Sequence, residues 1–291
     1  MALRYFTAIG LFLSCALAGP LSTAGESNHL SGRAFAINED GSSTLGRPWP
    51  NAKIVWCFEP DGESEDKDSY KEVLKIAKGG WKLWEKKLDG RSKLKFEPSD
   101  KKKPSCKKDH GTMLRITFNN QGSTSSHTGF KADARNMKFD PGNKYGGRDP
   151  VVIFAHELGH VFGLQHEHQK PSAWKKELPL LKLNCENMLD YEASVRKFGA
   201  YYVDNTLCTD EDKANRNRFS AHNFLPLTFP MGLVEDDSFD WDSIMMYDSL
   251  ALSKDPHGGK LVLVAANGGK LKINNEPSKQ DVAAVAKLYP K

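Results

Sequence analysis

The sequence predicts an α+β fold, and three features carry that prediction. Residues 52–58 (AKIVWCF) are rich in β-branched and aromatic side chains and read as a strand. Residues 70–88 place Tyr70, Val73, Leu74, Ala77, Trp81, Trp84 and Leu88 at helical spacing, which gives one apolar face interrupted mildly at Gly79-Gly80. Residues 149–163 form a second helix, in which the apolar run VVIFAHELGHVFGL admits polar groups only at selected positions.

The remaining elements follow in chain order. Residues 1–18 read as an export signal: Arg4 begins it, an apolar run continues to Leu17, and Ala16-Leu17-Ala18 supplies a small-x-small cleavage site. That run is too short to span a bilayer, and no later segment approaches the required length, so no membrane anchor is expected. Residues 19–46 are rich in Ser, Gly and Asn and read as a flexible leader or short pro-segment. After the first helix, KLKFE and MLRITF alternate and read as strands. The turn-rich DPGNKYGGRDP (140–150) leads into the second helix. Residues 180–198 read as helical, and irregular structure dominates from there to about 240. KLVLVAANGGKLKI (260–273) is a hairpin with Asn267-Gly268 at its turn. SKQD (278–281) is a capping box opening a last helix, with Val282, Val285, Ala286 and Tyr289 on one face.

Composition narrows the class. With 291 residues, 39% of them hydrophobic and 27% charged, the chain is an ordinary globular protein. A net charge of +4 does not mark a nucleic-acid binder, and no stripe of interleaved aromatic and basic residues supports one. The basic run KKKPSCKK (101–108) reads as a solvated loop, with a polyanion patch as the alternative. If Cys15 leaves with the signal, the four remaining cysteines form two disulfides, and Cys57–Cys106 with Cys185–Cys208 is the favoured pairing. There is no N-x-[ST] sequon.

The most informative stretch is HELGHVFGLQHEHQKP (156–171). His156 and His160 are four residues apart, so on a helix both imidazoles project from one face and can reach one ion. Glu157 is offset by one residue, close to that ion yet poorly placed as a ligand, which suits it to take a proton from water. Gly163 permits the left-handed turn that ends the helix, and His166 can then swing back as third ligand. Three neutral histidines and an open position describe a catalytic zinc site rather than a closed structural one. His168 could replace His166, but a neighbouring role outside the ligand set fits the loop length better. His127 and His222 could face the cleft or be ordinary surface histidines.

HELGHVFGLQHE resembles the metzincin zinc-peptidase signature HExxHxxGxxH, and Glu167 narrows the resemblance to the astacin family. SIMMYDS (243–249) is similar to that family's Met-turn, SIMHY, and follows in the right order. The resemblance covers residues 47–291. It implies a zincin-like fold: a twisted, mostly parallel sheet with two long helices in the upper half (47–163). The lower half (164–291) would be irregular and end in a helix, and a substrate-binding edge strand would fall near 123–131. It further implies one catalytic zinc on His156, His160 and His166, Glu157 as general base, and Met245 as a hydrophobic floor. Tyr247 would be a flexible fifth ligand supporting the tetrahedral intermediate, or else a buried tyrosine with a satisfied hydroxyl. Glu167 would anchor the mature N-terminus through a buried ion pair, or else be a solvent-exposed glutamate. Two features depart from the family pattern: no cysteine follows Cys208, and the leader lacks the FxGD segment.

The expected function is therefore a secreted zinc endopeptidase, a monomer acting on protein or peptide substrates, with no nucleic-acid or membrane partner. A catalytically silent secreted binding protein on the same scaffold is the competing class.

Overall fold

A computed structural model describes residues 34–59, 67–108, 111–118, 124–142, 148–227, 233–234 and 238–291. The export signal and the leader up to residue 33 lie outside them. Among the described residues no helix is long and apolar enough to cross a membrane.

The N-terminal segment departs from the flexible leader expected over 19–46. Ala34, Phe35, Ala36 and Ile37 are all buried. Strand β1 (Ala36–Ile37) pairs antiparallel with the two residues Leu233–Val234. Ile37 N–H donates to the Gly163 carbonyl at 2.9 Å, and Gln165 N–H to the Phe35 carbonyl at 2.8 Å. Four small or apolar residues in an unstructured-looking run are held by partners more than a hundred positions away, which local composition does not reveal.

The main sheet is built from β2 (Lys53–Glu59), β3 (Lys95–Pro98), β4 (Leu114–Phe118), β5 (Ser125–Ser126) and β6 (Asn136–Phe139) in the order β3-β2-β4-β6-β5. The first four strands are parallel and β5 is antiparallel to β6 at one end. Sequence reading misses β6, a short strand without a β-branched residue whose Met137 and Phe139 are nevertheless fully buried. Ile54, Trp56, Phe58, Leu114 and Ile116 fill the same core. Helix α1 (Lys67–Leu88) and helix α2 (Pro150–Phe162) pack together beside this sheet. The Trp84 indole N–H donates to the Ala155 carbonyl at 2.8 Å, fixing their register.

The lower half has its own core of Ala173, Leu181, Met188, Leu207, Phe219, Phe224, Met246 and Leu263, among others. Its first stretch corrects the helix expected over 180–198. Leu181–Leu183 is strand β7, Cys185–Asn187 is a 3-10 turn, and only α3 (Tyr191–Phe198) is α-helical. The alternation of Leu181, Lys182 and Leu183 suits a strand, and a partner strand far along the chain decides it. The chain stays largely helical through α4 (Ala200–Tyr202), a π-turn at Val203–Leu207 and α5 (Glu211–Arg216), where irregular structure was expected. Leu233–Val234 counts as β8, and β9 (Leu263–Ala265) pairs antiparallel with β7. The Asn267-Gly268 turn forms, with Gly268 at φ +83°, but its return arm makes a single bridge, Val264 to Lys270. Both favoured disulfides are present. Cys57–Cys106 ties the basic loop to β2, where Lys101, Lys102, Lys103 and Lys107 are exposed as a solvated loop requires.

Helix α6 (Lys279–Leu288) opens on the expected capping box of Ser278 and Asp281. It follows the lower half in sequence but packs into the upper core against α1, with Val282, Val285, Leu288 and Tyr289 buried there. The Tyr289 hydroxyl donates to the Phe162 carbonyl at 2.9 Å, so the C-terminus clamps the end of α2.

Candidate active site

The helix carrying the histidines begins and ends by identifiable chemistry. The Asp149 side chain accepts the Val151 N–H at 2.7 Å as N-cap, and Pro150 stands at the first helical position, where no N–H is needed. The helix stops at Gly163, whose φ of +113° is left-handed and whose N–H returns to the Gly159 and His160 carbonyls. A Cβ at Gly163 would also lie 2.8 Å from the Ile37 side chain. The turn expected from sequence is therefore both a backbone requirement and a packing one.

His156, His160 and His166 come together, with their candidate ligand atoms all within 4.8 Å of one another. His166 Nε2 lies 3.2 Å from His156 Nε2 and 3.0 Å from His160 Nε2. Each ring's other nitrogen has an acceptor: His156 Nδ1 the Ile244 carbonyl at 2.8 Å, His160 Nδ1 the Leu164 carbonyl at 2.9 Å, and His166 Nδ1 the Gln169 side-chain oxygen at 2.9 Å. Those acceptors fix the proton on Nδ1 in all three rings. Three lone-pair nitrogens then face one another with no proton to share, an arrangement that is repulsive until a cation enters. Burial supports the neutral state, pushing His160 down to about 4 and His156 and His166 well below their ordinary value. Tetrahedral ligands at about 2.0–2.1 Å from a zinc ion lie about 3.3 Å apart, so the donor set fits that ion in chemistry and the separations of His166 from the other two rings fit it in spacing.

Glu157 is buried beside the triad, and burial raises its carboxyl to about 7 against the opposing hydrogen bond from Ser126. The Ser126 hydroxyl lies 2.7 Å from Glu157 Oε2. Sequence reading gave Ser126 no role, since nothing in STSSHT distinguishes one serine from the next.

The Met-turn residues divide between the two cores. Met245 packs into the upper one and Met246 into the lower. Met245 sits directly against α2 at Gly159, where a Cβ would overlap its sulfur. Gly159→Ala is therefore expected to displace the Met-turn and cost roughly 1–3 kcal/mol, as overpacking does, read as a lower Tm with zinc binding weakened in parallel. The Tyr247 ring lies 4.6 Å from that of His166 and 6.1 Å from that of His156. Burial and then the nearby Glu157 charge raise its hydroxyl, which stays protonated and able to donate. The buried pair Arg148–Asp248, 3.5 Å apart, ties the approach to α2 onto the turn.

His168 is fully buried, and it is not part of the three-histidine cluster. Its Nε2 donates to the Asn223 carbonyl at 2.9 Å, and its Nδ1 accepts the Tyr247 N–H at 3.3 Å. Its ring lies 4.5 Å from the Tyr247 ring, which makes it the support on which that tyrosine rests. His127 is exposed on the strand edge, while the His222 carbonyl accepts from the Gln169 amide at 2.9 Å. Gln169, whose side-chain oxygen holds the His166 ring, is a residue that the sequence pattern does not single out.

Glu167 is 1% exposed, which removes the solvent-exposed alternative. Its oxygens accept the Phe35 N–H at 3.2 Å and the Asp240 N–H at 3.1 Å. Burial raises Glu167 to about 7 against the charge of Lys170, whose ammonium is buried 3.6 Å away. The cation beside Glu167 is thus a side chain three residues on, while the N-terminal segment reaches it through a main-chain amide.

The HELGHVFGLQHE and SIMMYDS motifs resemble those of the astacin-like zinc metallopeptidases. Both sequence motifs occur in the expected order, and the fold brings them to one place. The nematocyst expressed protein 6 of Nematostella vectensis is 27% identical over 159 residues, 54% of this chain and 45% of that protein, so the chain spans about half the length of the curated relative it matches. Two solved structures also overlap it, each with a TM-score of 0.47. Myroilysin is 17% identical and covers 88% of this chain and 98% of its own. High choriolytic enzyme 1, a hatching-enzyme zinc protease from Oryzias latipes, is 16% identical and covers 83% and 92%. No family model matches the sequence.

Proposed function

We propose that the chain is a secreted zinc-dependent endopeptidase. The observation that carries this reading is the trio of proton-free imidazole nitrogens with a buried glutamate beside them. His156, His160 and His166 would hold one zinc ion, which when bound supplies Lewis acidity that makes water nucleophilic near neutral pH and polarises the scissile carbonyl. Glu157 accepts the proton of the attacking water and returns it to the leaving amine nitrogen, a general base turned general acid. The Tyr247 hydroxyl donates to the oxyanion that develops on the carbonyl. Among the described residues strand β5 ends the sheet, and its outer edge would pair with an extended substrate in the antiparallel sense. Two disulfides agree with an oxidising, extracellular setting, and the protein would act as a monomer on protein or peptide substrates.

A casein digestion assay of the purified protein tests this reading. Cleavage is expected with zinc, lost on treatment with a zinc chelator, and restored when zinc is returned. A zinc-loaded protein with no activity on any denatured protein would leave the silent binding scaffold as the answer.

A further inference from the structure

Three structural contacts join residues 126–129, which begin in the end strand of the sheet, to the active-site helix and the turn that follows it. The Gly129 N–H donates to the His160 carbonyl at 2.9 Å. The Gln165 amide donates to the Thr128 hydroxyl. The Ser126 hydroxyl reaches both the backbone carbonyl of Glu157, at 3.0 Å, and its carboxylate Oε2, at 2.7 Å. Only the last of these touches a group to which the proposed reaction assigns a proton. A hydroxyl has one proton, and the nearer of the two oxygens is the one on which it makes the stronger, charge-assisted bond.

We propose that Ser126 is a positioning residue for the peptidase reaction: its hydroxyl holds one oxygen of Glu157 and so aims the other at the attacking water. The inference rests on the endopeptidase reading above. Side-chain alternation supports it. Ser125 is exposed and Ser126 partly buried, so the two-residue strand offers one hydroxyl to solvent and one to the helix. Its pairing with β6, Ser126 opposite Met137, fixes the strand at that height. Glu157 lies in a helix whose inner residues are packed solid, so the only freedom left to its carboxyl group is rotation about its own side-chain bonds. A single hydrogen bond at 2.7 Å removes that freedom. The strand expected to bind the substrate main chain would thereby also hold the base, and the spacing between substrate and base would be set by one element.

The test compares Ser126→Ala and Ser126→Thr with the wild type, all zinc-loaded, in steady-state hydrolysis of a quenched peptide, with zinc stoichiometry, Tm and crystal structures of each. For Ser126→Ala the expected result is a kcat lowered about tenfold, the scale of one charge-assisted hydrogen bond. Its KM should stay within about twofold, with zinc content and Tm unchanged and the Glu157 carboxylate rotated in the crystal. Ser126→Thr keeps the hydroxyl and should retain most of the activity. A kcat within twofold of wild type, a loss expressed in KM, or an equal loss in both variants would overturn the proposal. Were the wild type itself inactive, the peptidase reading would fall. The crystallographic comparison would still decide whether Ser126 holds Glu157, and an unmoved carboxylate would refute it.

Discussion

Glu157→Gln is expected to give a folded protein that still loads zinc and no longer digests casein. The substitution preserves shape: the glutamine side-chain oxygen can still accept from Ser126, and the helix around it is unchanged. None of the three candidate ligands is touched, and each keeps its own acceptor on Nδ1. What disappears is a group able to take a proton from water and give it to an amine. General acid–base catalysis typically contributes about 10²–10⁴-fold, so activity should fall by that factor while zinc stoichiometry stays at the wild-type value. Burying a neutral amide instead of a carboxylate relieves the desolvation that holds Glu157 up at about 7, so Tm should not fall. Digestion by the variant at a tenth or more of the wild-type rate would mean that Glu157 is not the base. Loss of zinc together with activity would mean that the carboxylate belongs to the metal site itself.

The parts of this site legible in sequence are those built from short-range geometry. Two histidines one helical turn apart and a glycine able to take φ +113° act within eight residues, and the structure places them as spacing requires. The disulfides were legible because two loops nested in separate regions. What was illegible depends on distant partners. Ala34–Ile37 looks like leader because nothing nearby in sequence shows that Gly163 and Leu164 close over it. Leu181 and Leu183 look helical until β9 arrives to pair with them. His168 looks like a surplus histidine because its partners, Asn223 and Tyr247, lie far along the chain. Ser126 and Gln169 are polar residues among many, selected only by what the fold brings to them.

Asp281→Ala is expected to destabilise the protein and loosen the candidate metal site together, although Asp281 lies on the final helix. Its carboxylate is fully buried and accepts three hydrogen bonds: the Ser243 hydroxyl at 2.7 Å, the Ile244 N–H at 2.9 Å and the Ser278 N–H at 2.9 Å. Removing it strands two buried donors, on Ser243 and Ile244, and one partly buried donor, on Ser278, at about 1–3 kcal/mol for each buried one before relaxation, so a total loss of roughly 3–5 kcal/mol is expected, read by denaturant unfolding. The effect should not stop at stability. Ile244, held by its N–H to Asp281, offers its carbonyl to His156 Nδ1 and so sets that ring's orientation. Loss of such an outer partner typically weakens metal affinity about 10–100-fold. Asp281→Asn separates this account from a general loss of packing. An asparagine can present its oxygen to the two backbone amides and its NH₂ group to the Ser243 hydroxyl, which already accepts from the Met245 N–H and has a second lone pair. The asparagine variant should therefore unfold close to wild type and retain most of its zinc affinity, whereas the alanine variant should lose both. Equal losses in the two variants would show that the negative charge, and not the three-donor junction, is what Asp281 contributes. An alanine variant that unfolds earlier yet binds zinc as tightly as wild type would break the proposed link from the last helix, through Ile244, to His156.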